Sequence, residues 1–276
     1  MAMHAKKASA MPFAQLGDIT LHYQVRGHGE PLLLIMGYRG SSFMWGEAFL
    51  SLLAQHFQVV VFDNRGTGLS AKPDTAYTMA TMADDTADLL AHLGLSRVNV
   101  FGVSMGGMIA QELALRHPRR VKRLVLGCTS CGGPLAIGPP AEVLARLIVP
   151  PDLPREEAVR QQWSIMFSPE FLAQRPDLLN DLTARALAHP TPLHTTLRQL
   201  VAVLRFNTYG RLGQITAPTL VVTGAADLVI HPANSSMLVE RIPGACLHTL
   251  PRAGHGFFWE LPEAVETFLR TFCTRP

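Results

Sequence analysis

The sequence lacks any apolar run long enough to cross a bilayer, and it carries little excess charge of either sign. Its 276 residues have a net charge of +3, and the basic residues are scattered apart from short clusters such as Arg119-Arg120. A spanning helix needs about 20 apolar residues, and nucleic-acid binding needs a basic stripe, so neither class is predicted. Met1–Met11 has no continuous apolar segment of the signal-peptide kind. We expect a loose N-terminal tail on a cytoplasmic protein with no membrane span and no nucleic-acid partner.

Cysteine is also scarce, with four residues in the chain. Cys128 and Cys131 form a C-x-x-C pair, a spacing found in redox motifs and zinc sites. A thioredoxin-like pair would open a helix, whereas this pair closes a predicted strand. A zinc site would need a second ligand pair, and no His or Cys pair with metal spacing follows. We therefore predict free structural thiols and no metal.

Hydrophobic residues make up 48% of the chain and charged residues 16%, proportions typical of a folded globular protein. Apolar strand patterns alternate with helical patterns over residues 1–133 and 207–276. This alternation predicts an α/β fold with a doubly wound, mostly parallel sheet. Over residues 134–206 the pattern is helical, with proline-bearing turns between helices. The predicted helices are Ala141–Val149, Arg155–Phe167, Pro176–Ala188 and Pro192–Arg205. We expect an inserted helical lid there, between a first core segment and a second one that carries the acid and the histidine.

The stretch from Gly102 to Gly106 has the pattern G-x-S-x-G, with a buried strand predicted before it and a helix after it. Such a strand-to-helix turn is so tight that the residues two before and two after the serine must lack a side chain. The turn strains the backbone at Ser104 and exposes its hydroxyl. A plain glycine-rich turn is the alternative, but the context favours a nucleophilic serine.

A serine hydroxyl needs a base and a carboxylate to become a nucleophile. Asp227 follows an apolar strand, and His255 lies between glycines after the last strand. The order Ser, Asp, His is the one expected for this arrangement. Asp227 could instead merely cap the next helix. Asp63 is a rival acid at another strand end, but it precedes the serine, and we expect it to hold the loop from Asn64 to Ser70.

An oxyanion also needs two N–H donors. The residue after the nucleophile, Met105, supplies one. We expect the other from Tyr38, in the loop after the apolar strand that ends at Met36.

Five stretches together resemble the α/β-hydrolase superfamily, in particular its serine esterase and enol-lactonase-like branch: Leu32 to Gly37, Asp63 to Ser70, Gly102 to Gly107, Gly224 to Asp227, and Gly254-His255-Gly256. The resemblance implies an eight-stranded sheet, with Ser104 as nucleophile, His255 as base and Asp227 as its partner. Many members have His-Gly where this chain has Met36-Gly37, a departure that concerns the oxyanion geometry rather than the triad.

The same resemblance narrows the reaction. Haloalkane dehalogenases and epoxide hydrolases of this fold use an aspartate where this chain has Ser104, and the His-Gly-x-Gly-Pro-Gly loop of the carbon–carbon bond hydrolases is missing. We expect hydrolysis of carboxylic esters through an acyl-enzyme, with no metal and no organic cofactor. A lactonase, and a ligand receptor with little turnover, are the alternatives.

Apolar side chains of the predicted lid, together with Trp45 in the first core segment, favour a small to medium hydrophobic acyl group over a charged substrate. We expect a small-molecule ester as substrate and a monomer or homodimer as the assembly. The candidate pocket residues, each of which could instead only pack lid on core, are Trp45, Leu144, Ile148, Trp163, Met166 and Phe167.

Overall fold

A sheet of eight strands forms the centre of the molecule, in the order β1-β2-β4-β3-β5-β6-β7-β8. The computed structural model describes residues 12–147 and 153–274, so the predicted N-terminal tail, Met1–Met11, lies outside the described residues. β1 pairs antiparallel with β2, and β2 pairs antiparallel with β4, while every other pair is parallel. The strands are β1 (Phe13–Leu16), β2 (Ile19–Arg26), β3 (Glu30–Ile35), β4 (Phe57–Phe62), β5 (Val98–Val103), β6 (Val121–Gly127), β7 (Thr219–Gly224) and β8 (Cys246–Leu250).

Helices cover both faces of this sheet, as the alternation predicts. Side chains of β5 show the two layers, because Val100 packs into one apolar core and Phe101, its neighbour, into the other. Buried parallel strands are apolar on both faces for this reason. The helices of the sheet layers are α1 (Glu47–Leu53), α2 (Met79–His92), α3 (Met105–Arg116), α9 (Ala233–Arg241), α10 (Phe257–Glu260) and α11 (Pro262–Cys273).

A helical insert separates β6 from β7. It contains α4 (Ala141–Leu147), α5 (Arg155–Met166), α6 (Pro169–Gln174), α7 (Pro176–Ala188) and α8 (Leu193–Arg205). The sequence pattern predicts four of these helices and misses α6, which is short and begins at a proline; the Ser168 hydroxyl caps it by accepting from Phe171 N at 3.3 Å. Ile148 and Val149, at the end of the first predicted helix, lie outside the described residues. Among the helices in the described ranges, none combines the length and apolarity that crossing a membrane requires.

Candidate active site

Ser104 lies between β5 and α3 in a conformation that L-residues rarely adopt, with φ +56° and ψ −124°. The flanking glycines are required by packing. A Cβ on Gly102 would lie 2.3 Å from Gly106 O, and a Cβ on Gly106 would lie 2.0 Å from Ile35 O. The strand therefore meets the helix only because both positions lack a side chain, as the motif predicts.

The backbone of Ser104 is tied to both neighbouring elements. Its N–H donates to Gly127 O at 2.9 Å, and its carbonyl accepts from Gly107 N at 2.9 Å, at the start of α3. The same carbonyl accepts from the hydroxyl of Thr129 at 2.7 Å. Met105 is the first residue of α3, and the first N–H groups of a helix have no partner within it. This N–H is therefore a donor beside the serine, at the positive end of the helix dipole.

Asp227 and His255 meet at the ends of β7 and β8. His255 Nδ1 and Asp227 Oδ2 are 2.8 Å apart, and the two side chains are 5% and 0% exposed. Asp227 Oδ1 accepts from Val229 N at 2.8 Å and from Ile230 N at 2.9 Å. The carboxylate thus both organises its own loop and binds the histidine. It does not cap α9, whose N-cap residue is Pro232 and has no side-chain capping hydrogen bond.

The loop that carries His255 is held by Glu260, a residue that sequence reasoning missed. Glu260 Oε1 accepts from Gly254 N at 2.8 Å, and Glu260 Oε2 accepts from the hydroxyl of Ser168 at 2.6 Å. Gly256 N donates to Met166 O at 2.7 Å. The end of α5 is therefore hydrogen-bonded to the histidine loop.

Cys128 is the second residue that the sequence did not single out for the site. Its thiol is buried and free, and its Sγ accepts from Gly224 N at 3.4 Å. The other three thiols are also free, and of these Cys246 is exposed. Burial and the nearby Asp227 carboxylate raise the pKa of Cys128 well above its ordinary value. The Cys128, Asp227 and His255 ligand atoms lie within 4.8 Å of one another and could hold a metal ion, although the carboxylate oxygens are already engaged in hydrogen bonds.

The loop after β3 lies directly against the serine. A Cβ on Gly37 would be 3.1 Å from Ser104 Cβ and 3.6 Å from its Oγ. Asn64 Nδ2 donates to Met36 O at 3.0 Å, and the Tyr38 hydroxyl donates to Thr196 O, in α8, at 3.2 Å. The loop from Met36 to Tyr38 is thus held by a buried amide on one side and by the helical insert on the other.

Asp63, the rival acid, has a different set of partners. Its carboxylate accepts from Ser42 N at 2.6 Å, from Leu69 N at 2.8 Å and from His22 Nδ1 at 3.0 Å. Burial raises the pKa of Asp63, but these hydrogen bonds outweigh it, so the pKa lies below its ordinary value. Asp63 thus fastens the loop after β4, as expected from its position, and its imidazole partner is fully buried.

The candidate pocket residues lie in several different places. Trp45 is fully buried and packs against the rings of Phe101 and Phe258 in the core. Leu144 is 46% exposed, and Ile148 lies outside the described residues. The other three, Trp163, Met166 and Phe167, lie at the end of α5 or directly after it, beside the His255 loop.

Comparisons with known proteins establish the family of the chain. The family described as alpha/beta hydrolase fold matches residues 30–262. A protein of Azorhizobium caulinodans that carries the name carbamate hydrolase RutD is 31% identical, over 95% of this chain and 98% of that protein. Est816, described as an N-acyl homoserine lactone degrading enzyme, is 31% identical with a TM-score of 0.80, over 95% of this chain and 100% of that chain.

An enol-lactonase from Burkholderia xenovorans LB400 is 25% identical with a TM-score of 0.84, over 96% of this chain and 100% of that chain. The family match spans most of the sequence, and these relatives are covered almost end to end. The chain therefore belongs to the α/β-hydrolase family.

Proposed function

We propose that this chain is a serine hydrolase of carboxylic esters, with Ser104 as nucleophile, His255 as general base and Asp227 as the acid that orients it. The observation that carries the proposal is the 2.8 Å hydrogen bond between His255 Nδ1 and Asp227 Oδ2. A carboxylate at Nδ1 favours the imidazole tautomer whose Nε2 is free to accept a proton, and it stabilises the imidazolium that forms.

The reaction follows from these roles. Nε2 of His255 takes the hydroxyl proton as Ser104 Oγ attacks the ester carbonyl, and the resulting imidazolium protonates the leaving alcohol. An acyl-enzyme remains on Ser104. His255 then takes a proton from water, the hydroxide attacks the acyl carbon, and the proton returns to Ser104 Oγ as the acid leaves.

The negative oxygen of both tetrahedral intermediates needs donors, and we assign the backbone N–H groups of Met105 and Tyr38. Support comes from the position of Met105 at the first turn of α3 and from the contact of Gly37 with Ser104. Loss of one such donor lowers turnover by about 100- to 1000-fold in other hydrolases.

The helical insert is the proposed lid, and the end of α5 is the part that we expect to touch the acyl group. Trp163 is anchored there, because its Nε1 donates to the hydroxyl of Thr183 at 2.9 Å. Phe167 lies beside it, with ring centroids 5.8 Å apart. An aromatic wall next to the histidine loop suits a small to medium apolar acyl chain.

A lactone is the second candidate substrate, because Est816 and the enol-lactonase are both described by action on lactones. A lactone is a cyclic ester, so the same residues would open it, with the leaving alcohol retained on the acyl-enzyme. A carbamate ester is the third candidate substrate, because the Azorhizobium caulinodans relative is named as a carbamate hydrolase.

A substrate panel on one preparation tests the proposal: p-nitrophenyl butyrate, p-nitrophenyl palmitate, a butyryl homoserine lactone and a p-nitrophenyl carbamate. We expect the short ester or the lactone to be the best substrate, and turnover to vanish in Ser104→Ala. The exposed Ser51→Ala is the matched control and should keep full activity. Turnover that survives Ser104→Ala would contradict the proposed nucleophile. Absence of all turnover would favour the receptor alternative.

A further inference from the structure

The turn beside the nucleophile contains a residue that its backbone geometry disfavours. Gly40 N donates to Gly37 O at 3.1 Å, which closes a four-residue turn. Arg39, the third residue, has φ +61°, whereas Tyr38 is not among the residues with positive φ. Positive φ at the third position alone defines a type II turn, where glycine is the preferred residue. An arginine in this place is strained, so the reason for it lies in its side chain.

The backbone of Arg39 is fixed from both sides by the helical insert. Its N–H donates to Gln199 Oε1 at 3.0 Å, and its carbonyl accepts from the hydroxyl of Thr191 at 2.9 Å. Gln199 is itself held, since its Nε2 donates to Arg65 O at 3.1 Å. The positive φ of Arg39 is therefore held in place by hydrogen bonds to the helical insert.

Within the described part of the chain, no carboxylate forms an ion pair with the guanidinium of Arg39. Arg39 is partly buried, and its Nε is fully buried without a hydrogen-bond partner among those residues. The pKa of Arg39 is lowered, chiefly by burial. Tyr38 acts to raise this pKa, and the positive charge of Arg155 acts to lower it further. A desolvated cation that lacks a counter-charge is costly, and a carboxylate would satisfy both its charge and its N–H groups.

The location links this cation to the reaction. Gly37 touches Ser104, and Cα atoms two residues apart are separated by at most about 7.6 Å. From the turn and the unpaired Nε we infer that Arg39 binds a carboxylate group of the substrate. The preferred ester or lactone would then carry a negatively charged end in addition to its apolar part, in place of the uncharged substrate that the apolar residues of the insert favour. This inference rests on the proposed ester hydrolysis and names its substrate class. A planar guanidinium pairs with a carboxylate through two parallel hydrogen bonds. The apolar part of the substrate would then contact the aromatic rings of Trp163 and Phe167.

Two p-nitrophenyl esters of matched length test the inference: the monoester of glutaric acid, which carries a free carboxylate, and the pentanoate, which does not. In the wild type we expect the monoester to have at least a tenfold higher kcat/KM. Arg39→Gln should reduce that ratio to about one, chiefly through KM, because the guanidinium pairs with the ground state and the transition state alike. The exposed Arg119→Gln is the matched control and should keep the wild-type ratio.

Arg39→Gly adds a readout that a purely structural arginine would not give. Glycine fits the type II turn, so this variant should melt at a higher temperature than the wild type while it loses the preference for the monoester. A lower melting temperature together with an unchanged substrate ratio would overturn the inference, since Arg39 would then be part of the packing alone.

Binding measured without turnover separates a failure of this inference from a failure of the proposed function. In Ser104→Ala, calorimetry should detect glutarate binding that disappears in the Ser104→Ala, Arg39→Gln double variant. Absence of glutarate binding would overturn the carboxylate site even if esters are hydrolysed. Inorganic phosphate that bound as tightly as glutarate, with the same dependence on Arg39, would overturn the assignment to a carboxylate.

Discussion

Replacement of Asp227 by asparagine separates the chemical role of this residue from its structural one. Asp227 Oδ1 accepts two backbone N–H groups, and Oδ2 binds His255 Nδ1. An asparagine oxygen can keep the two loop hydrogen bonds, but its NH₂ group would then face Nδ1 of His255 and force the proton onto Nε2. The imidazole would be held in the tautomer that cannot accept the serine proton.

The expected loss is large. The matching change in a serine protease triad lowers kcat by about 10⁴-fold, and at about 1.36 kcal/mol per factor of ten this is about 5.4 kcal/mol of transition-state stabilisation. We expect a loss of that order in Asp227→Asn for p-nitrophenyl butyrate, with KM changed by less than about threefold because the tautomer acts on the chemical step. The melting temperature should change little, because the loop hydrogen bonds remain.

Asp63→Asn is the matched control, since Asp63 is also buried and also bound to a histidine. Here asparagine cannot accept from both Leu69 and Ser42 while it faces His22, so a buried donor loses its partner at a cost of roughly 2–3 kcal/mol. Stability should fall by roughly 5–10 °C, while kcat of the folded protein stays within about tenfold of wild type. An unchanged kcat in Asp227→Asn, or a loss of activity at unchanged stability in Asp63→Asn, would rule out these roles for the two aspartates.

Three further predictions follow from the site. Hydrogen bonds lower the pKa of Asp63 in the folded protein. The carboxylate therefore stabilises the fold above the unfolded-state pKa of about 3.9, and this stabilisation is lost as the pH falls through the lower folded-state pKa. The melting temperature of Asp63→Asn should accordingly depend less on pH below about 4 than that of the wild type. Gly37→Ala would place a Cβ 3.1 Å from Ser104 Cβ and shift the donor loop, so kcat should fall, by up to about 100-fold if the Tyr38 donor is lost; an unchanged kcat would argue against that donor. Iodoacetamide should modify the exposed Cys246 before the buried Cys128, whose pKa is raised, as peptide mass spectrometry would show.

Most of the fold follows from local patterns in the sequence. Runs such as Val98–Val103 are apolar at nearly every position because parallel strands are covered on both faces, and all six residues are buried. The glycines around Ser104 mark a turn that no other residue permits. Helix α6 is absent from the prediction because it has six residues, too few to show a helical period, and its position depends on tertiary contacts.

The site could be predicted only in part, for a related reason. Asp227 and His255 stand out because each follows a strand in a glycine-containing loop. Glu260 and Cys128 do not, since each contacts a segment that is distant in the sequence: Glu260 binds Ser168, and Cys128 binds Gly224. Trp45 is a large aromatic residue of the type that lines pockets, but its ring lies inside the core. Residue type alone does not distinguish a pocket residue from a core residue.

We propose that Ser104 is the residue that becomes acylated and that His255 activates it. A fluorophosphonate probe measures this directly, because it traps an activated serine as a stable adduct that peptide mass spectrometry can locate. The nucleophilic role of Ser104 predicts one adduct, on the peptide containing this residue, that is absent in Ser104→Ala and forms far more slowly in His255→Ala. Labelling of another serine, or equal labelling rates in wild type and His255→Ala, would contradict it.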